Sequence, residues 1–306
     1  MTDARDISDG ICAYLQGGFG NQLFIVAAAW EQANRLSCPL YIDTSRFLDA
    51  DPMERAKETP RDFELQPLEL PGEVLAGDSP WHRNSPRRPA AIRRLGRKSR
   101  SLKVYRQPSF NYHQEVNQVR PGTTLLGYFQ SPSYFKGVAE HLSDLMLNAT
   151  LTSAERATLD RFDDEPCITA HVRRGDYLTP AAAIHHGIAS ADYFFRAISL
   201  IRALRGRAET VRVFSDSPAL VKKELAELDQ LDFVDDSQDL SPMATVLAMS
   251  KGSAFAMSNS SFSWWAAWLL SLRDSSAPVV APRPWLADGH SGHQQLLPNW
   301  MTLDAR

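Results

Sequence analysis

Cysteine is scarce. Cys12, Cys38 and Cys167 are the only three in 306 residues, and they lie far apart. Their odd number and wide spacing argue against a disulfide framework and against a Cys/His zinc module, and they predict a reducing, cytoplasmic compartment. Long apolar runs are missing as well. The longest candidate, Ser263 to Leu272, falls short of the roughly 18 residues that a membrane span requires. The opening segment, MTDARDISDG, is polar and acidic and predicts no secretory signal. Net charge is slight, at −3, which gives no overall bias toward nucleic acid. With 43% apolar and 23% charged residues, the chain reads as ordinary soluble globular protein, neither disordered nor fibrous. At about 150 residues per domain, its length predicts roughly two domains.

One more absence is local. Between Arg83 and Arg106 there is no Asp or Glu, yet the window holds ten Lys and Arg. Outside it, the remaining 23 Lys and Arg face all 36 Asp and Glu. A mildly acidic protein thus carries one strongly basic segment.

What is present is an α/β pattern. Ile11–Leu15 reads as a strand, the loop Gly17-Gly18-Phe19-Gly20 follows, then a helix over 21–36 and a strand over 39–42. Strand, glycine loop, helix and strand make a βαβ unit of a parallel sheet. Leu125–Phe129 is a third strand candidate, and 136–162 reads as helix. A second series opens near Pro166. It runs through a strand over 167–172, a helix over 192–204, a strand over 211–214, a helix over 220–228, a helix from Ser241-Pro242, a strand over 254–257, a helix carrying Trp264, Trp265 and Trp268, and a last strand at Val279. The two series predict domains at 1–155 and 156–306. In such sheets ligands sit beyond the carboxyl ends of the strands. Four unusual motifs fall at such ends, the glycine loop after Leu15, HVRRGD after Ala170, SDS after Phe214 and SNSS after Met257, and they are expected to converge on one cleft.

Those motifs carry chemistry that suits a phosphorylated ligand. His171-Val172-Arg173-Arg174-Gly175-Asp176 closes a buried strand. His171 and Arg173 point to one side of it and Arg174 to the other. Guanidinium is planar, always charged and bidentate toward phosphate, which favours Arg173 as the ligand's partner. Arg174 and Asp176 are expected to pair in the same turn. Asn259, Ser260 and Ser261 offer hydroxyl, amide and backbone N–H groups before a helix, which suits a diphosphate, although a plain helix cap needs the same residues. Asp216 is placed to accept from two adjacent donors, such as guanine N1–H and the 2-amino group, or to cap the next helix. The glycine loop before the first helix is a weaker anion site. Asp49-Ala50-Asp51 and the adjacent His185-His186 are discounted as metal ligands, and the three tryptophans are read as packing.

Taken together, these residues resemble the α-1,2-fucosyltransferase family (glycosyltransferase family 11). The resemblance runs through GGFGNQLF (17–24), YIDTSRF (41–47), LLGYFQSPSYF (125–135), HVRRGDY (171–177), VFSDS (213–217), SNSSFSWWAAWL (258–269) and APRPW (281–285). It implies two Rossmann-like domains facing across a cleft (the GT-B type), an N-terminal acceptor-side domain and a C-terminal GDP-fucose-binding domain. It also implies inverting transfer of L-fucose from GDP-β-L-fucose to a galactoside hydroxyl, α-1,2 linkage favoured, with no metal or other cofactor required. Arg173 would bind the β-phosphate, and His171 and Asp216 would read guanine. Arg174, Asn259, Ser260, Ser261 and Phe262 would line the donor, and Gly18, Asn21 and Gln22 would face the sugar or acceptor. Asp176 is the carboxylate nearest the motif and the candidate base. Ser258 departs from the family, where Ala commonly precedes Asn-Ser-Ser.

The expected partners are GDP-fucose and a galactose-containing or lipid-linked glycan of a bacterial-type surface polysaccharide, with no nucleic acid. The competing readings are a GDP-sugar transferase of other linkage or acceptor, and a nucleotide-binding module without turnover. For the basic window 83–106, peripheral contact with an anionic membrane face or lipid-linked acceptor stands beside a solvated helix or loop.

Overall fold

The computed structural model describes residues 5–48, 62–80, 103–163, 166–175, 189–234, 240–286 and 292–306. The Asp49-Ala50-Asp51 and His185-His186 motifs, Asp176, and residues 83–102 of the basic window lie outside these. The chain divides into two compact units, Met1–Ala149 and Thr150–Arg306.

The N-terminal unit is built on a five-stranded sheet in the order β3-β2-β1-β5-β4, with every pairing parallel. Its strands are β1 (Ile11–Tyr14), β2 (Leu40–Asp43), β3 (Glu73–Leu75), β4 (Lys103–Arg106) and β5 (Thr123–Leu126). The central strands β1 and β2 are short, apolar and buried, as a parallel sheet covered on both faces requires. Helix α1 (Phe19–Leu36) crosses from β1 to β2, its run Ala27-Ala28-Ala29 fully buried. Small side chains there let the helix lie close to the sheet. A short α2 (Ser45–Leu48) follows β2, and α3 (Ala139–Leu147) ends the unit.

The C-terminal unit has six parallel strands in the order β11-β10-β9-β6-β7-β8. They are β6 (Ile168–Val172), β7 (Val211–Ser215), β8 (Leu231–Phe233), β9 (Ala254–Ala256), β10 (Val279–Arg283) and β11 (Met301–Asp304). Counted from β6, this is the 3-2-1-4-5-6 order of a dinucleotide-binding sheet, and its topological switch point lies between β6 and β9. Around the sheet lie α4 (Ser153–Arg161), α5 (Ala191–Arg205), α6 (Pro218–Glu224), α7 (Pro242–Ser250) and α8 (Ser261–Arg273). The expected α/β class with parallel sheets is borne out.

The single helix expected over 136–162 is two. Thr152 breaks it with a capping box: its hydroxyl accepts from Glu155 N–H while the Glu155 carboxylate accepts from Thr152 N–H. The strand expected over 125–129 stops at Leu126, because Gly127 and Phe129 turn the backbone out of the ladder. Strands β3, β4, β8 and β11 carry weak sequence signals. They are short and partly exposed, so no alternating apolar pattern marks them. No helix among the described residues is long and apolar enough to cross a membrane.

Candidate active site at the strand switch of the C-terminal unit

At the switch point, the ends of β6 and β9 are stitched by one hydroxyl. Ser258 Oγ donates to the His171 carbonyl at 2.6 Å and accepts from Arg173 N–H at 3.0 Å. This gives the departure at position 258 a structural task. It also fixes Arg173 against the start of α8, the helix that opens from β9. Ser260 is the N-cap of α8, its side chain accepting from Phe262 N–H at 3.2 Å. The helix is anchored by its tryptophans. Trp264, Trp265 and Trp268 are all at most 3% exposed and pack ring on ring, with Trp264 against Trp300. The α8 N-terminus thus opens after β9 while the Arg173 side chain leaves the end of the neighbouring β6, and a helix N-terminus and a guanidinium each favour an anion.

Arg173 is held from a third direction. Its Nη1 lies 2.9 Å from Asp216 Oδ2, with both side chains about four-fifths buried. Asp216 Oδ1 accepts the backbone N–H groups of Arg174 at 2.8 Å and Gly175 at 3.0 Å. Both oxygens of Asp216 thus serve the loop after β6, instead of standing ready for a base edge or capping α6. Gly175 is the residue the loop permits, because a Cβ there would collide with Asp216 Oδ2.

His171 is 4% exposed. Its Nδ1 bonds the fully buried Ser263 hydroxyl, and its ring tilts against Phe262 at 5.8 Å. Burial pushes the imidazole down, and the charge of Arg173 pushes the same way against a smaller lift from Asp216; the pKa falls to about 4. At neutral pH the ring is uncharged, a hydrogen-bonding group rather than a cation.

Several expected site residues have other employment. Arg174 turns away from the crevice and is buried. Its Nε pairs with Glu224 at 2.7 Å, and Nη1 donates to the carbonyls of Arg173 and Ala189 at 3.0 Å each. Its acidic partner among the described residues is Glu224, fifty residues away; the pairing expected with Asp176 lies outside them. Asn259 donates to the Trp285 carbonyl at 3.2 Å and ties β9 to the segment after β10. Ser261 and Phe262 remain partly exposed at the first turn of α8. Among the described residues no three His, Cys, Asp or Glu side chains gather as a metal site.

In the N-terminal unit the glycine loop does stand at a helix N-terminus, but the chain supplies its own anion. The Glu64 carboxylate accepts from Phe19 N–H at 2.5 Å. Gln22, fully buried, is wholly engaged. Its Nε2 donates to the carbonyls of Gly17 at 2.8 Å and Asp62 at 2.7 Å, and its Oε1 accepts from Glu64 N–H at 3.0 Å. Gln22 therefore clamps the loop rather than facing a ligand. Gly18 is the N-cap of α1, and Asn21, partly exposed, accepts from Gln130 Nε2 at 2.5 Å. Glu64, Ser263 and Glu224 are the partners that sequence reasoning missed. Only Ser263, inside the NSSFSWW run, carried a signal that could have found it.

Strand crevice, cation and helix terminus define a nucleotide-type site on a doubly wound sheet. Residues 122–304 match the sequence model of glycosyl transferase family 11, and the chain belongs to that family. It is 28% identical over 312 aligned positions to the O-antigen biosynthesis glycosyltransferase WbnK of Escherichia coli, covering 94% of this chain and 99% of the relative. It is 26% identical to an alpha-1,2-colitosyltransferase of Escherichia coli, covering 90% and 92%. Among solved structures it is similar to NodZ alpha-1,6-fucosyltransferase co-crystallized with GDP, at 16% identity and TM-score 0.48, covering 86% of this chain and 92% of that one. It is also similar to the E. coli ADP-heptose LPS heptosyltransferase II, at 13% identity and TM-score 0.47, covering 96% and 90%. The family expected from the motifs is thereby borne out, and the protein is a glycosyltransferase.

Proposed function

We propose that the protein is an inverting fucosyltransferase. It moves L-fucose from GDP-β-L-fucose to a galactoside hydroxyl, in α-1,2 linkage, during assembly of a bacterial surface polysaccharide. The observation that carries the reading is the Ser258 bridge, which ties the Arg173 backbone at the end of β6 to the segment that opens α8, in a family 11 chain. The names of the two relatives support an O-antigen setting and an α-1,2 linkage.

The acceptor oxygen attacks the anomeric carbon from the face opposite the diphosphate. The new C–O bond forms as the old one breaks, GDP leaves with the electron pair, and the acceptor hydroxyl passes its proton to a carboxylate base, for which Asp176 is the candidate. A diphosphate is a good leaving group, so the demand is for positive charge at the β-phosphate rather than for an acid at the glycosidic oxygen. Arg173 supplies that charge, already oriented by Asp216 and by its own backbone bond to Ser258. A preorganised donor of this kind is worth on the order of 3–4 kcal/mol in the transition state. The neutral His171 and the ring of Phe262 form an apolar edge suited to a base.

The test has two parts. GDP raises the melting temperature where UDP and ADP do not, and Arg173→Ala removes most of kcat with GDP-fucose while the fold is kept. A folded Arg173→Ala protein with near-wild-type turnover would overturn the mechanism. Stabilisation by UDP would overturn the guanine donor, and transfer from a colitosyl but not a fucosyl donor would overturn the sugar.

A further inference from the structure

The crevice at β6 and β9 makes no use of a cavity that the described residues form elsewhere. In the N-terminal unit a cavity of about 350 Å³ opens beyond the carboxyl ends of β1, β5 and β4. Its wall includes Gln16 after β1, Gly127 and Tyr128 after β5, and Arg106, Gln107 and Phe110 at and after β4.

This wall is built with care. Gln107 Oε1 accepts from the backbone N–H groups of Tyr128 at 3.0 Å and Phe129 at 2.9 Å, and Gln107 N–H donates to the Leu126 carbonyl at 2.9 Å. Gln16 Nε2 reaches the Gly127 carbonyl at 3.5 Å. Position 127 must be glycine, since a Cβ there would lie 2.5 Å from Gln107 Cβ. Next to it Phe129 holds φ = 51°, a left-handed conformation that a bulky residue rarely adopts. Its ring is fully buried against Tyr134 and Tyr105, with centroids 5.2 and 6.4 Å away. The strained turn buries Phe129 and leaves its neighbour Tyr128 39% exposed on the cavity wall. Strain of this kind concentrates at functional sites.

The lining is chemically consistent. Gln107 is engaged at both ends, its Nε2 reaching the Asn111 carbonyl and the Tyr134 hydroxyl at 3.4 Å each, and shapes the wall, while the rings of Tyr128 and Phe110 suit the C–H face of a pyranose. Arg106 is exposed and has no ion-pair partner among the described residues. A guanidinium so placed selects a carboxylate or a phosphate.

We propose that this cavity seats the acceptor saccharide, and that Arg106 makes it select an acceptor carrying a negative charge. The inference rests on the glycosyl-transfer reading above and adds to it a second site and a class of acceptor. The charge belongs either to an acidic sugar or to the diphosphate of a carrier-linked glycan.

The full-length protein tests this with three probes: lactose, a galactosyl-glucuronic acid disaccharide, and lactosyl diphosphate bearing a short alkyl chain. Saturation-transfer NMR without donor reads contact, and acceptor KM with GDP-fucose reads use. One charged probe binds about tenfold better than lactose, the effect of one charge-assisted contact, and which of the two does so identifies the source of the charge. Arg106→Gln abolishes the preference for the charged probe over lactose, while Arg106→Lys keeps part of it. Tyr128→Ala raises KM about tenfold for every probe, Tyr128→Phe restores it, and stabilisation by GDP stays as in the wild type throughout. Equal use of lactose and both charged probes overturns the charge selection. Acceptor KM and NMR contact unmoved in both Arg106→Gln and Tyr128→Ala overturn the cavity. A wild-type protein that shows saccharide contact but transfers no fucose overturns the donor reading alone.

Discussion

Asp216→Asn separates two tasks that the same carboxylate could perform. In the structure Asp216 orients Arg173 and the loop after β6; as a guanine reader it would instead bind the base. The asparagine keeps an oxygen to accept from the N–H groups of Arg174 and Gly175, so the loop stays. What it loses is the 2.9 Å ion pair with Arg173. Each side chain is a little over one-fifth exposed, so solvent screens the pair and its loss costs about 1 kcal/mol of stability. Asp216→Ala loses the two acceptor bonds as well and costs about 2 kcal/mol more. The kinetic effect is larger than the structural one. If the ion pair contributes about 1.4 kcal/mol to holding Arg173 at the β-phosphate, kcat falls about tenfold in the asparagine variant. Donor hydrolysis and transfer, measured beside thermal melts, read both quantities. Binding of GDP against IDP, which lacks the 2-amino group, reads the alternative. Full turnover in Asp216→Asn together with a collapsed GDP-over-IDP preference would refute the positioning role.

Three buried features carry further predictions. His171 has its pKa lowered to about 4, against about 6.5 when unfolded; between those values the unfolded chain binds a proton that the folded one does not. Stability is therefore full above about pH 6.5 and falls on acidification toward pH 4, by up to about 3 kcal/mol. Urea titrations across that range should show the slope, and His171→Phe should flatten it; an equal slope in the variant would put its origin elsewhere. Glu155 and Glu209 add a separate loss at lower pH. Burial raises each carboxyl, but hydrogen bonds from Ser241 and Thr152 to the one, and from Ser253, Arg205 and Arg207 to the other, bring both to about 2. In the N-terminal unit, Gln22→Met leaves three backbone groups unpaired and costs roughly 3 kcal/mol. A guanidinium midpoint within experimental error of the wild type would show that the clamp carries no stability.

The sequence made the class readable because its information there is local. HVRRGD and SNSSFSWW each end one strand, and strand ends are where a parallel sheet gathers chemistry. Alternation along β6 also told Arg173 from Arg174 correctly. The partners were not legible. Arg174 meets Glu224, Gln22 meets Asp62 and Glu64, and Asp216 meets the loop after β6, each across 40 or more residues. Nothing in local spacing records such pairs. A nearby acid such as Asp176 therefore seemed the natural partner for Arg174, and a buried Gln22 read as a ligand-facing amide. The same limit explains why the N-terminal helix terminus looked open to an anion: its occupant, Glu64, arrives from beyond β2.

That difference bears on where charge is put to work. Two positive groups near the motifs are neutralised by the chain itself, the Arg174 guanidinium by Glu224 and the N-terminus of α1 by Glu64. Arg173 too is paired, but with a carboxylate that is partly exposed and whose other oxygen is committed to backbone. In the proposed reaction the diphosphate would meet that oriented cation, and the N-terminus of α8 after the neighbouring strand adds its dipole. The ten basic residues at 83–106 gave the chain its most visible charge feature, yet the donor chemistry is argued from one arginine ninety residues later. Only Lys103 and Arg106 of that window are described, both exposed on β4. Arg106 stands on the cavity wall of the N-terminal unit. On the two proposals together, the basic window bears on the choice of acceptor, while cleavage of the donor rests on the strand switch of the other unit.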